Sequence, residues 1–305
     1  MAKSLCNRWQ VYFWSAFFCL IWIHPVSAEG LVKIADNIYS YVDVKKGSPQ
    51  KSFGANAGII IGQDGILVID TLISAKEAKR FIKDIRSVSD KPIRYVINTH
   101  YHLDHAFGNS EFAKLGAVII AQEKCNKNLE EKGAAALKNA KNYGLSEADM
   151  EGTAIALPFL TFRDKMELEL GNQKIELIYP GPSHSDDSIL VYLPDQKILF
   201  TGDILFTNYH PFLAEGNLEG WGKVLDRIMA MDVNKIIPGH GPLSGKEDLQ
   251  KMKEYLVAFD SKAKELSAKM NDPEKIFSEL KKALPPRNEG EGLIMANIQM
   301  RYLKK

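Results

Sequence analysis

The sequence predicts a mixed α/β fold built mainly as one large domain, and three observations predict it. Short apolar runs bracketed by turn residues recur along the chain, amphipathic helical stretches fall between them, and no repeat or low-complexity tract breaks the pattern. Strands are expected at Ile38 to Val42, Ala57 to Ile61, Ile66 to Ile69, Tyr95 to Asn98, Ala117 to Ala121, Met166 to Leu170, Lys174 to Tyr179, Ile189 to Leu193 and Ile198 to Thr201. Ser74-Ala75-Lys76-Glu77 reads as a capping box, a hydroxyl and a carboxylate spaced to satisfy each other's backbone amides. It opens a helix whose inward stripe is Ala78, Phe81, Ile82 and Ile85. Trp221, Val224, Leu225 and Ile228 give a second helix its apolar face, with Trp221 as a core anchor. Two segments read as additions. Residues 123–160 are helical and charged, with Ala134 to Leu137 and Ala154 to Leu157 as their apolar parts. The C-terminal stretch holds a helix-like Glu274 to Leu284, a Pro285-Pro286 break, and Gly292 to Leu303. The expected organisation is therefore a leader at 1–28, a main domain at 29–271 and a helical C-terminal extension at 272–305. Periodicity alone does not choose among the α/β folds that alternate strands and helices in this way.

Residues 1–28 read as a secretory signal: Lys3 and Arg8 are basic, Val11 to Ile23 is almost wholly apolar, and Val26-Ser27-Ala28 offers small residues for cleavage before Glu29. The alternative is a membrane anchor, but the 13-residue apolar run is short of the roughly 20 needed to span a bilayer. Export to the periplasm or the extracellular space is expected, with no stable membrane insertion after cleavage. Removal of the two leader cations turns the formal charge from +1 to −1. A near-neutral chain has no electrostatic case for nucleic-acid binding, and a small-molecule partner is expected instead. Of the three cysteines, Cys6 and Cys19 leave with the signal. Cys125 then has no partner for an internal disulfide and reads as a helix-packing residue.

The seven histidines are not scattered. His100, His102 and His105, with Asp104, fall in the run Thr99-His100-Tyr101-His102-Leu103-Asp104-His105, directly after the strand-like Ile93 to Asn98. Neutral imidazoles and carboxylates suit zinc and related divalent ions, and such groups at a strand end converge on a small volume. His184 and His240 head two further turn-like clusters, Gly181-Pro182-Ser183-His184-Ser185-Asp186-Asp187 and Pro238-Gly239-His240-Gly241. His100 and His102 alternate along an extended stretch and can point the same way, whereas Asp104 and His105 follow a turn and can address a neighbouring ion. His210 reads as a solvated loop histidine. Ser183 and Ser185 read as backbone caps.

Through this H-x-H-x-D-H run the chain resembles the metallo-β-lactamase superfamily. The resemblance covers most of the mature chain in order: Asn56 to Gly62, Gly65 to Thr71, the metal run, the cluster at His184, Leu199-Phe200-Thr201-Gly202-Asp203, and Pro238 to Gly241. It implies an αββα sandwich with the metal site along one sheet edge. It makes His100, His102 and His184 the ligands of a first cation, Asp104, His105 and His240 those of a second, and Asp203 the bridge between them. It gives Asp70 a supporting role, holding the ligand loop through hydrogen bonds. Two divalent ions are expected, zinc first, with iron or manganese admitted by the same donors. Water activated by the cations, whose pKa falls to about 7, is the expected nucleophile, and Asp104 is the candidate for orienting it and passing its proton. The implied activity is hydrolysis of an ester, lactone, thioester or amide-like bond.

Asp203 decides between subclasses. Lactamases with a similar ligand pattern carry a cysteine there and a lysine three residues on, where this chain has Phe206. The stretch Leu199 to Phe206 is more similar to glyoxalase-II-like, lactonase-like and quinoprotein-associated hydrolases. The alternative is a β-lactamase, supported by Gly216-Asn217-Leu218-Glu219-Gly220-Trp221, with Lys45 or Lys51 as substitute cations. A di-iron redox protein would carry glutamate in place of His102, and a non-catalytic metal-binding protein would be expected to have lost ligands. The leader makes a direct prediction: mass spectrometry of the exported protein finds an N-terminus at or next to Glu29. Chains beginning at Met1 and embedded in membrane would establish the anchor instead.

Overall fold

The structure is a computed structural model that describes residues 30–43 and 53–303. The leader expected at 1–28, and Lys45 and Lys51, lie outside the described residues. The first sheet has seven strands in sequence order: β1 (Val32–Ala35), β2 (Ile38–Ser40), β3 (Gly58–Ile61), β4 (Ile66–Ile69), β5 (Ile93–Ile97), β6 (Val118–Gln122) and β7 (Leu160–Phe162). Its first four strands are antiparallel neighbours; from β4 onward the pairings are parallel. The second sheet has five strands, ordered β12 (Lys235–His240), β11 (Ile198–Phe206), β10 (Leu190–Leu193), β9 (Lys174–Ile178), β8 (Lys165–Glu169). Only its β11–β12 pairing is parallel.

Strand alternation assigns each side chain to a layer. In β4, Leu67 and Ile69 face the second sheet, meeting Leu177, Val191, Ile198 and Phe200 in the core between the sheets. Ile66 and Val68 point the other way, onto Ala78, Phe81 and Ile85 of α1 (Ala75–Val88). On the far side, Leu190, Leu199 and Ile236 pack against α6 (Leu218–Ala230) and α7 (Lys246–Lys269). Helices therefore cover both outer faces, and the fold is the αββα sandwich. The serine side of the expected capping box forms, with the Ser74 side chain accepting from the Glu77 amide at 3.3 Å. Ile82 is only half-buried, at the rim of the stripe.

Three strands escaped the sequence reading. β1 and β7 are short, and β12 runs through the Pro238-Gly239-His240 cluster that reads as a turn. Proline is tolerated there because β12 is an edge strand. Segment 123–160 is helical in α4 (Glu123–Lys138) and α5 (Glu147–Met150) but ends by entering β7 at Leu160. Cys125 is buried on α4 beside Tyr101, Phe107 and Leu129, and burial pushes its thiol well above the usual range.

The C-terminal stretch forms α8 (Pro273–Ala283), α9 (Gly292–Asn297) and a π-helical turn over Ile298–Tyr302. Ile276, Leu280, Ile294 and Ile298 join the core under α6 and α7. Polar side chains of this stretch also hold the loop after β11. Arg287 Nη1 donates to the carbonyls of Phe206 at 2.7 Å and Tyr209 at 2.8 Å, Asn297 brackets Pro211 and Leu213, and Arg301 reaches Gly216 at 2.8 Å. Among the described residues no helix is long and apolar enough to cross a membrane.

Trp221 is fully buried and its Nε1–H donates to the Ile204 carbonyl at 2.8 Å. Trp221→Phe keeps most of the packing but leaves that carbonyl unpaired, a cost of about 1–3 kcal/mol. At about 2–4 °C per kcal/mol for a domain of this size, thermal unfolding should move down by several degrees. An unchanged midpoint would show that the hydrogen bond contributes nothing.

Candidate metal centre

Parallel strands place their C-terminal ends together, and the sequence loads those ends with donors. β5 runs into Asn98, Thr99 and His100; the single turn of α2 (Leu103–Ala106) carries Asp104 and His105. Asp203 lies within β11, His240 closes β12, and His184 comes from the loop between β9 and β10. Close backbone approach is needed for this. A Cβ at Gly239 would sit 1.9 Å from Asp203 Oδ1, and one at Gly202, whose φ is +49°, would sit 2.5 Å from Thr99 Oγ1.

All seven residues expected to hold metal come together, in two groups. His100, His102, His184 and Asp203 form one, and Asp104, His105 and His240 the other; within each, the donor atoms lie within 4.8 Å of one another. In the first, His102 Nδ1 is 3.1 Å from His100 Nε2 and 2.9 Å from His184 Nε2. Asp203 Oδ2 is 3.4 Å from His184 Nε2 and 3.8 Å from His100 Nε2. Asp203 turns its other oxygen to the second group, with Oδ1 3.1 Å from His105 Nε2 and 3.3 Å from His240 Nε2. Asp104 Oδ2 completes that group, 3.4 Å from His240 Nε2 and 3.7 Å from His105 Nε2. Four donors about 2.0–2.1 Å from a tetrahedral ion stand about 3.3 Å apart, the middle of this range. His105 Nε2 and Asp203 Oδ1 are both buried without a hydrogen-bond partner. The residues present thus fit divalent cations.

Each imidazole is held from behind, which fixes the nitrogen it turns inward. His105 Nδ1–H donates to Asp70 Oδ2 at 2.8 Å. Asp70, at φ +60° beyond β4, also accepts from the Thr99 amide and hydroxyl, each at 2.7 Å. The Thr99 hydroxyl then takes the His100 Nδ1–H at 3.1 Å. The carbonyls of Phe212 and Phe53 do the same for His184 and His240, both at 3.2 Å. Asp70 therefore grips His105 and Thr99 together.

Burial pushes the His184 imidazole down to about 3 and His100 well below its usual range, so both stay neutral, the form that binds metal. Burial also opposes charge on His240, but Asp203 and Asp104 push it up to about 9. The two carboxylates thus create a strong demand for positive charge at the centre. Rings seal the back of the site: Phe206 stacks on His240 at 4.9 Å and 3°, and the Trp221 ring meets His184 edge-on at 5.3 Å.

His210 stands apart from these donors, as expected, but it is not solvated. It is buried, with Nδ1 2.7 Å from the Tyr255 hydroxyl, and burial pushes it down to about 4. Ser185 Oγ donates to Asp187 Oδ1 at 2.6 Å, serving its own loop, while Ser183 Oγ is buried without a partner. The sequence reading missed Glu215, Tyr101 and Lys132, which meet beside His102. Nothing in their local pattern marks them, because they come from three separate segments.

Comparison with known proteins gives the same architecture. The chain is 28% identical over 227 residues to a linear primary-alkylsulfatase of Pseudomonas sp. (strain ATCC 19151), covering 64% of this chain and 43% of the relative. It is 25% identical over 183 residues to the alpha subunit of a 2,4-dinitroanisole O-demethylase of Nocardioides sp. (strain JS1661), covering 59% of this chain and 51% of the relative. The chain thus spans about half the length of these two curated relatives. A type 2 metallo-beta-lactamase of Bacteroides fragilis is 22% identical over 231 residues, covering 74% of this chain and 84% of the relative. The solved metallo-beta-lactamase from Pontibacter korlensis has the same fold, with a TM-score of 0.59 at 22% identity over 74% of this chain and 98% of that one. The family model matches residues 52–240, which hold all seven donors, and the chain belongs to the metallo-beta-lactamase superfamily.

Proposed function

We propose that this chain is an exported hydrolase that holds two divalent cations, zinc first, and cleaves an ester-like bond in a small molecule. One observation carries the reading: two complete donor groups share the two oxygens of Asp203, with His105 Nε2 and Asp203 Oδ1 buried and unsatisfied. The cations would supply the Lewis acidity that makes water a nucleophile at neutral pH and stabilises a developing oxyanion. The protein's part is orientation and exclusion. Asp104 turns Oδ2 to His240 and His105, leaving its second oxygen to orient the attacking water and take its proton. Phe206, Trp221 and Phe212 pack on His240, His184 and His102 and keep bulk water from behind them. Iron or manganese would fit the same nitrogen and oxygen donors. Export rests on the leader-like residues 1–28, and the extension at 272–305 is proposed as a brace for the loop after β11.

The bond class rests on Asp203 and Phe206. A carboxylate in place of a thiolate hardens the second group, and the similarity to an alkylsulfatase adds sulfate esters to lactones, thioesters and carboxylic esters as substrates. β-Lactam hydrolysis is the second reading, favoured by the similarity to type 2 metallo-beta-lactamases. Against it, Phe206 is buried and stacked on His240, so that position offers a drug carboxylate no cation. Loss of one charge-assisted hydrogen bond costs about 1.5–3 kcal/mol, or roughly ten- to a hundredfold in recognition.

A panel of sulfate esters, lactones, thioesters, carboxylic esters and β-lactams, assayed before and after chelation, tests this directly. Turnover should be fastest outside the β-lactams, disappear on chelation and return with zinc. Asp203→Asn should lose more than about a hundredfold, beyond the usual cost of an outer-shell change. Fastest turnover of a carbapenem or penicillin would establish the second reading, and full activity after complete metal removal would overturn both.

A further inference from the structure

His102 differs from the other four imidazoles of the site in two ways. It alone turns Nδ1 inward, and its side chain is 12% exposed whereas those of His100, His105, His184 and His240 are 0–4% exposed. Its neighbours are anchored by the backbone carbonyls of the half-buried Phe212 and Phe53 or by the buried Asp70 and Thr99. Behind His102 there is a side chain instead: Nε2 faces Glu215 Oε2 at 3.5 Å.

Glu215 does not stand alone. Its Oε2 also accepts from the Tyr101 hydroxyl in a short hydrogen bond. Lys132, from α4, donates to that same Tyr101 oxygen at 3.2 Å, lies 4.6 Å from the ring centroid, and stands 4.0 Å from Glu215 Oε2. A hydrogen bond from Tyr101 in the ligand run and an ion pair with Lys132 on α4 thus fix one carboxylate oxygen against the outer face of His102. The loop bearing Glu215 is itself held, since Arg301 donates to the Gly216 carbonyl at 2.8 Å.

We propose that Glu215, held by Tyr101 and Lys132, is the positioning residue of His102 and sets the cation affinity of the first donor group alone. This rests on the two-cation reading above. A carboxylate behind a ligand imidazole fixes its tautomer and ring orientation and raises its basicity, and removing such a group typically costs ten- to a hundredfold in metal affinity. The hydrogen bonds and ion pairs of Glu215 go to His102, Tyr101 and Lys132 and to none of Asp104, His105 or His240, so the effect is confined to one of two binding steps. The arrangement also makes the segment around α4 part of the site, through Lys132, although that segment carries none of the seven donors.

The experiment is stepwise zinc binding by the mature chain in competition with a chromophoric chelator. The unaltered protein should show two steps. Glu215→Ala should weaken one step ten- to a hundredfold and leave the other within about threefold. Glu215→Gln should recover most of that loss, because the amide oxygen still accepts from His102 Nε2–H and the Tyr101 hydroxyl. Tyr101→Phe and Lys132→Ala should weaken the same step by smaller factors. In a His240→Ala background, which disables the second group, Glu215→Ala should weaken the single remaining step. Unchanged steps in Glu215→Ala, or equal weakening of both, would overturn the inference while leaving the two-cation reading intact. Failure of the unaltered chain to bind zinc would overturn both. If Glu215→Ala does not fold, Glu215→Gln and Lys132→Ala decide: no selective weakening in Lys132→Ala, or a Gln variant as weak at both steps, counts against it.

Discussion

Five imidazole nitrogens and two carboxylates face one another at the centre of this molecule, and that crowding is the constraint on which everything else depends. Outward hydrogen bonds hold the protons of His100, His102 and His184 on their far nitrogens, so lone pairs meet at 2.9 and 3.1 Å around His102. Without a cation between them these three rings repel, and the two buried carboxylates have the imidazoles of His105 and His240, both pushed up, as their counter-charge. Divalent cations bound here would remove the repulsion and supply the rest of that charge. Metal affinity and folding would then be linked in this protein, since the sandwich has to hold the donors in place and bound cations would relieve their repulsion.

The sandwich does this by placing rigid strand ends under a few backbone contacts that admit no side chain. Gly239 lets β12 close on Asp203, and Gly202 lets β11 close on Thr99. Asp70 then ties β4 to the ligand loop through Thr99 and His105. On the other side, Arg287, Asn297 and Arg301 of the C-terminal stretch hold the end of β11 at Phe206 and the loop that supplies Phe212 and Glu215. The loop after β11 is thus fixed by hydrogen bonds to its backbone, which leaves its side chains free to serve the site.

Much of this was legible in the sequence. The run His100 to His105 and the clusters at His184 and His240 are marked by residue type and local motif, because metal chemistry admits few side chains, and the family resemblance they carry pointed to Asp203 and Asp70. Strands such as Ile66–Ile69 were legible as short apolar runs, α1 from period and cap, and α6 from period alone. What escaped was non-local. β12 was hidden because Pro238 and Gly239 speak for a turn, and only its edge position and its pairing with β11 make it a strand. His210 was expected to be solvated because a loop histidine has no local signal of burial; Tyr255, 45 residues on, provides it. Glu215, Tyr101 and Lys132 meet only once α4 and the loop after β11 have folded beside the ligand run.

The central claim is that the two donor groups hold two cations with Asp203 between them. Anomalous diffraction from zinc-loaded crystals, collected above and below the zinc edge, tests it most directly. The account predicts two peaks, one about 2.0–2.1 Å from His100 Nε2, His102 Nδ1 and His184 Nε2, the other at like distance from Asp104, His105 and His240, with one Asp203 oxygen on each. A single peak, or two peaks with Asp203 bound to neither, would contradict it.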